Sequence, residues 1–394
     1  MQAELAFLSG VALLLPVAAV SGWYVGRRNG DTSPPAAPRS ISSEYFRGIN
    51  YLLNEQHDKA IEVFVKVLEL EDEAIDTHLA LGNLFRRRGE VDRAIRVHQN
   101  IIARPGLTPV QRAHAMLELG LDYKRSGLLD RAENLFLDLV ESEFFTLEAL
   151  RNLLDIYQQE RDWNRALDYA ERLEREQGED TAQLQAQFLC ELADEMLREG
   201  RDREAESLLA RAARADGGCV RANLMRANIL ISHGEYRRAI GHLKAVESQD
   251  PAFLSETIEP LEVCYRALNR RDEFIAYLKQ LAEHHLGITP VLTLAELELE
   301  QRGPEEAMQV IVDELHARPT VRGVDKLLEY WLAKSAGEAR EGFSLVKNFT
   351  SRLLEQRFVY KCGSCGFTGR TLHWQCPSCK RWDTVRPIRG LEGE

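Results

Sequence analysis

The sequence predicts an all-α chain: a superhelix of stacked helix pairs, with one membrane-spanning helix before it and a small metal-binding knuckle after it. Three observations carry this reading. The chain opens on a 21-residue stretch without a charged residue, Leu5 to Val25. A spaced pattern of small and bulky residues then recurs through residues 41–320. Near the end, Cys362, Cys365, Cys376 and Cys379 fall in two C-x2-C pairs.

At about 1.5 Å rise per residue, the opening stretch spans roughly 30 Å, the thickness of bilayer hydrocarbon. Trp23 and Tyr24 stand where an interfacial aromatic belt belongs, and Arg27 and Arg28 follow at once. Only Glu4, and no Lys or Arg, precedes the stretch. The positive-inside rule therefore places the N-terminus outside and everything after Arg27 on the cytoplasmic side of a single-pass membrane protein. A cleaved signal peptide would need a basic start and a shorter apolar core. Residues 1–28 are read as the anchor. Residues 29–40, NGDTSPPAAPRS, are read as a semi-extended, proline-rich linker.

In the repeating region a small residue is followed three positions later by a bulky one. An Ala falls twelve positions after the small residue, and another bulky residue four after that. The first three matches are Gly48/Tyr51/Ala60/Phe64, Gly82/Phe85/Ala94/His98 and Gly120/Tyr123/Ala132/Phe136. Leu154/Tyr157/Ala166/Ala170, Ala193/Met196/Ala205/Leu209 and Ala227/Leu230/Ala239/Leu243 follow, and Pro251 closes the last of these. Val263 with Ile275, and Ala295 with Ala307, mark two degenerate units. The starts are 34, 38, 34, 39, 34, 36 and 32 residues apart. This is the tetratricopeptide pattern. A Gly or Ala lets two antiparallel helices approach, the aromatic fills the space between neighbours, and Gly89, Gly127, Gly200 and Gly234 supply the turns. One unit cannot bury its apolar face alone, so about eight pairs stack over residues 41–320 and present a concave binding surface. Residues 321–356 are read as capping helices, with Leu327, Leu328, Trp331 and Leu332 on one side.

Residues 357–394 form the knuckle domain. Two facing C-x2-C turns, ten residues apart, give four sulfurs in a tetrahedron, which suits one zinc or iron ion. Gly363 and Gly366 permit the tight turn, Pro377 stiffens the second one, and Phe367, Trp374 and Trp382 are placed to cover the site. The reducing compartment argues against disulfides. From Arg357 to Arg389 seven Lys/Arg face one acid, a net +6, so the remainder of a chain of net charge −12 carries −18. Such an acidic body is no nucleic-acid binder in bulk, and a basic tail beside it suggests that the two dock. Cys190, Cys219 and Cys264 read as small core residues without a partner at ligand spacing. No phosphate loop, nucleophile elbow or H-E-x-x-H motif occurs, so the reading is a binding protein, with no catalytic residue assigned.

An apolar anchor, tetratricopeptide units and a short rubredoxin-like or zinc-ribbon knuckle, in that order, resemble the lipopolysaccharide assembly protein B family over essentially the whole chain. The resemblance implies an inner-membrane adaptor that presents the deacetylase LpxC to the membrane protease FtsH. It also implies antagonism by a second membrane protein, called PbgA or LapC. A scaffold that gathers lipopolysaccharide synthesis and export proteins without controlling turnover is the alternative. The match to rubredoxin itself is partial, because Lys380 stands where a second Gly is expected and the spacing between knuckles is short. The run C-P-S-C-x-x-W also looks like the zinc ribbon of some DNA-repair ATPases, which leaves nucleic acid open for the tail alone. Self-association is left open, and no small-molecule substrate is indicated.

Overall fold

The structure is a computed structural model that describes Val20 and residues 43–394, except 55, 71–74, 285–286, 356, 392 and 394. The Leu5–Val25 anchor and the 29–40 linker lie, apart from Val20, outside the described residues. Among the described residues, no helix is long and apolar enough to cross a membrane. The chain divides into two compact units, Met1–Leu139 and Val140–Glu394.

The first unit holds α1 (Ser43–Leu53), α2 (His57–Leu70), α3 (Ile75–Arg88), α4 (Val91–Ile102), α5 (Pro109–Arg125) and α6 (Leu129–Glu141), whose last turn runs to its boundary. The spacing of the repeat explains how each helix pairs with the next. Ala60, Ala94 and Ala132 are fully buried, as are Phe64, His98 and Phe136 four residues on. Those large side chains lie directly on the glycines sixteen residues earlier. A Cβ added to Gly120 would stand 2.7 Å from the Phe136 ring, and one added to Gly48 would stand 2.7 Å from Phe64. Gly82 meets His98 in the same way. Thr108 caps α5, accepting from the Gln111 N–H while the Gln111 side chain accepts from the Thr108 N–H.

Charge is buried between the second and third pairs. Arg86 on α3 pairs with Glu118 at 2.6 Å and with Asp122 at 2.8 Å, both on α5. His98 Nδ1 lies 2.5 Å from the other oxygen of Asp122, and all of this side-chain contact is out of water. Burial alone would push Glu118 up, but the His114 imidazole 3.7 Å away and the hydrogen-bonded Arg86 guanidinium hold it down to about 2. Removing one partner would leave an uncompensated buried charge, so the network fixes the pairing of these helices.

The second unit continues with α7 (Thr146–Glu160), α8 (Trp163–Gln177), α9 (Ala182–Arg198), α10 (Asp202–Ala215), α11 (Val220–Ser232), α12 (Tyr236–Gln249), a 3-10 turn (Pro251–Phe253), α13 (Ser255–Ala267) and α14 (Arg271–Glu283). Then come α15 (Ile288–Gln301), α16 (Pro304–Ala317), α17 (Val321–Lys334) and α18 (Gly337–Glu355). Here the sizes trade places. Where the first small residue becomes Leu154, the position sixteen later shrinks to Ala170, and both are buried. Each turn repeats one bond. The Gly127, Gly200 and Gly234 backbones have φ of +79, +74 and +76, and the next N–H reaches back to close a Schellman-type end, as in Glu235 N–H to Leu230 O at 2.8 Å.

That bond corrects the register of the seventh repeat. The sequence suggested a start at Val263 with Ile275 as its partner. Instead Arg270 N–H donates to Tyr265 O at 2.9 Å, which starts the unit at Glu262. Phe274 and Leu278 then take the two buried positions. The turn glycine is replaced by Asn269 (φ 54) here and by Arg161 (φ 60) in the fourth repeat, which removed the marker the pattern relied on.

α17 and α18 form a further helix pair. The Asp325 carboxylate accepts from Lys347 at 2.6 Å, Thr350 at 2.6 Å and Ser351 at 3.1 Å, and Trp331 packs on Phe343 with ring centroids 5.3 Å apart. Cys190, Cys219 and Cys264 are buried, as expected of small core residues. Cys190 and Cys219 are not isolated, however: their sulfurs are 3.9 Å apart.

Candidate metal centre and its seat on the repeats

The C-terminal ribbon is built on β1 (Tyr360–Cys362), β2 (Thr368–Gly369) and β3 (Val385–Pro387), antiparallel in the order β2-β1-β3. A sheet this small has little apolar interior, and Tyr360, Cys362, Cys376 and Val385 supply most of it. The two knuckles have the same backbone hydrogen bonds. Cys362 N–H donates to Phe367 O at 2.7 Å, and Gly366 N–H returns to Cys362 O at 3.0 Å. In the second knuckle, Cys376 N–H donates to Arg381 O at 2.9 Å, and Lys380 N–H returns to Cys376 O at 2.9 Å. Gly366 and Lys380 are therefore equivalent, and both are left-handed, with φ of +78 and +60. The missing second glycine leaves the turn intact with a lysine in a strained conformation. Gly363 does not have a positive φ. Its N–H ties the knuckle to Thr384 O at 2.8 Å.

These turns bring four sulfurs together. The thiol atoms of Cys362, Cys365, Cys376 and Cys379 all lie within 4.8 Å of one another. Cys362 and Cys379 are 3.8 Å apart, and Cys365 and Cys376 are 3.6 Å apart. A tetrahedral ion with sulfur at about 2.3 Å has edges of about 3.8 Å, so the set could hold one metal ion. The local field favours thiolates on the first knuckle. The Thr384 hydroxyl beside Cys362 holds its thiol at about 6, and the Phe367 N–H draws Cys365 down. Burial pushes Cys376 up to about 11.

Trp374 and Trp382, which the sequence places as covers of the site, pack against the helices. The Trp382 ring meets Trp163 and Phe188 edge-on, with centroids 5.8 and 5.9 Å away. Its indole N–H donates to Gln158 Oε1 at 2.9 Å. Trp374 stacks on Phe253 with centroids 5.4 Å apart. Phe367, the third aromatic of the tail, packs within the ribbon. Polar contacts complete the seat. Tyr360 donates to Glu256 at 2.8 Å, Gln183 donates to Asp383 at 3.2 Å, and Arg386 pairs with Asp250 at 3.2 Å. Burial raises the Asp383 carboxyl above its ordinary range, although Arg386 opposes the shift. The basic tail thus docks on the body mainly by aromatic burial, with charge in a lesser role. Gln158, Trp163, Phe188 and Phe253 had gone unmarked in the sequence, since nothing distinguishes a seat residue from a core residue of the repeat.

Such an arrangement defines a helical-repeat protein with a four-cysteine ribbon. Residues 77–109 and 190–252 match tetratricopeptide repeat models, and residues 360–387 match a rubredoxin metal binding domain. The chain is 41% identical over 385 residues to lipopolysaccharide assembly protein B of Escherichia coli K12, covering 97% of this chain and 98% of that protein. It is 34% identical over 390 residues to the protein of the same name from Haemophilus influenzae Rd, covering 96% and 98%. The chain belongs to the lipopolysaccharide assembly protein B family.

Proposed function

We propose that this chain is a non-enzymatic adaptor at the inner membrane that acts in lipopolysaccharide assembly by promoting degradation of LpxC by FtsH. The observation that carries the reading is full-length similarity: the 41% identity to the Escherichia coli protein runs through 97% of the chain. Tetratricopeptide surfaces commonly hold protein segments, which supports protein partners over a small substrate. The Leu5–Val25 stretch would confine the repeats to the cytoplasmic face, and holding substrate there raises its effective concentration beside a membrane protease. PbgA, or LapC, is the proposed antagonist. Cys362, Cys365, Cys376 and Cys379 are the proposed ligands of one zinc or iron ion, whose chemistry would be structural: four thiolates leave no position for water.

The test is the half-life of LpxC in cells with and without this protein, with FtsH present in both. A several-fold longer half-life on deletion is expected. An unchanged half-life would overturn the adaptor reading and leave a scaffold for the synthesis and export proteins.

A further inference from the structure

Cys190 sits in the middle of α9, and Cys219 is the N-cap residue of α11, in the next repeat. Both side chains are buried, their sulfurs touch at 3.9 Å, and 29 residues separate them. Two features set Cys219 apart from a packing residue. It lies at the positive end of a helix, where backbone N–H groups favour an anion, and the Gln187 amide points at its sulfur from 3.9 Å. The pair also divides its acidity. The hydrogen bond from Cys190 and the Ala222 N–H draw Cys219 below the ordinary thiol range, whereas that same contact, with burial, drives Cys190 well above it.

The turn before Cys219 carries two glycines and is closed by hydrogen bonds from Gly218 N–H to Asp216 Oδ1 at 2.8 Å and from Cys219 N–H to Asp216 O at 3.1 Å. Gly217 and Gly218 precede it and are exposed. A Cβ on Gly217 would meet nothing within 4 Å, and one on Gly218 would meet only the Asp216 side chain. Closing the sulfurs from 3.9 Å to about 2.05 Å requires a shift at the N-terminal end of α11.

We propose that Cys190 and Cys219 form a reversible thiol–disulfide site, with Cys219 the attacking thiol and Cys190 the resolving one, that takes a hydroperoxide as oxidant. The Cys219 thiolate attacks one peroxide oxygen, the O–O bond breaks, water leaves after protonation, and Cys219 becomes a sulfenic acid. The Cys190 sulfur then attacks Cys219 Sγ. The S–S bond forms, the S–O bond breaks, and a second water carries away the Cys190 proton. Two thiols lose two electrons in all, and one hydrogen peroxide becomes two waters. The bond would tie α9 to α11 between the two tryptophan contacts of the ribbon. Phe188, against Trp382, is two residues from Cys190, and Val220, in the cluster that receives Trp374, follows Cys219.

Cys264 is the internal control, a buried thiol raised to about 11 by burial. The full-length chain is treated with stoichiometric hydrogen peroxide and its cysteines are mapped by mass spectrometry, without reduction and after it. The expected result is one linked peptide pair joining Cys190 to Cys219, formed at least about tenfold faster than Cys264 is oxidised and lost on reduction. In a folded Cys190→Ala chain, confirmed by circular dichroism, the linkage should vanish and dimedone should label Cys219. Oxidation of the ribbon thiols while this pair stays reduced would overturn the proposal. So would rates equal to Cys264, or conversion of Cys219 to sulfinic acid without linkage.

Discussion

The Trp382 indole N–H of the ribbon donates to the Gln158 amide oxygen of α7 at 2.9 Å, across 224 residues of sequence. The hydrogen bond orients the ring, but the area it buries on Trp163 and Phe188 supplies more of the energy. Trp382→Ala should therefore weaken the seat by about 3–5 kcal/mol and Gln158→Ala by only about 1 kcal/mol. Hydrogen exchange of β1 and β3 amides measures both. Equal effects of the two substitutions would place the energy in the hydrogen bond instead.

Cys362→Ser should abolish metal binding by the ribbon, because three sulfurs cannot close the tetrahedron around the ion. We expect about one metal per chain in the parent protein and none in the variant, by elemental analysis. Visible absorbance in the parent would identify ferric iron, and its absence zinc. Trp374 and Trp382 fluorescence should shift to the red as the ribbon leaves its seat, while far-UV circular dichroism of the helices persists. A metal-free variant whose tryptophans remain buried would show that the seat holds the ribbon unaided.

How far the sequence could be read follows from the range of each interaction. The Gly120/Ala132/Phe136 spacing is a local rule of one helix pair, so composition carried it. The grouping of the four knuckle cysteines was legible for the same reason, as was the oddity of Lys380. The seventh repeat slipped by one residue because its turn uses Asn269 in place of glycine. Trp382 was read as a cover for the metal site because its sequence neighbours are cysteines, while its contact partners Gln158, Trp163 and Phe188 come from two distant repeats. The Cys190–Cys219 contact was missed on the same ground. Contacts between elements far apart in sequence leave no periodic trace.

Gly120 tests the local rule. A methyl group there would enter the Phe136 ring, which is fully buried and 2.7 Å from the added atom. Gly120→Ala should destabilise the chain by about 1–3 kcal/mol through overpacking, despite the better helix propensity of alanine. Adding Phe136→Leu should recover part of the loss in denaturant titrations. If the double variant were no better than the sum of the singles, the two positions would not be in contact.

Lys380 gives a prediction of opposite sign. It holds φ of +60 in the position that Gly366 fills in the first knuckle. Lys380→Gly should stabilise the ribbon by about 1 kcal/mol, since glycine bears no Cβ to clash. Gly366→Ala should destabilise it by a similar amount. Slower ribbon exchange in the first variant and faster exchange in the second would fit, whereas matched effects of one sign would not.

Glu118 sets how the first unit responds to acid. Its folded value of about 2 lies below its ordinary 4.5 because His114 and Arg86 outweigh burial. A depressed carboxylate stabilises fully above its unfolded value and loses that contribution as pH falls through the folded one. The contribution should thus be intact above about pH 4.5, decline between about 4.5 and 2, and amount to about 3 kcal/mol at most. His114 is raised, chiefly by the Glu118 carboxylate beside it, so its share is complete below 6.5 and fades as pH rises through the shifted value. Denaturant midpoints against pH should therefore fall on both sides for the parent chain. Glu118→Gln should lower the midpoint near pH 5 and flatten the acid limb between pH 4.5 and 2. An acid limb of unchanged slope in that variant would move the titration to another carboxylate.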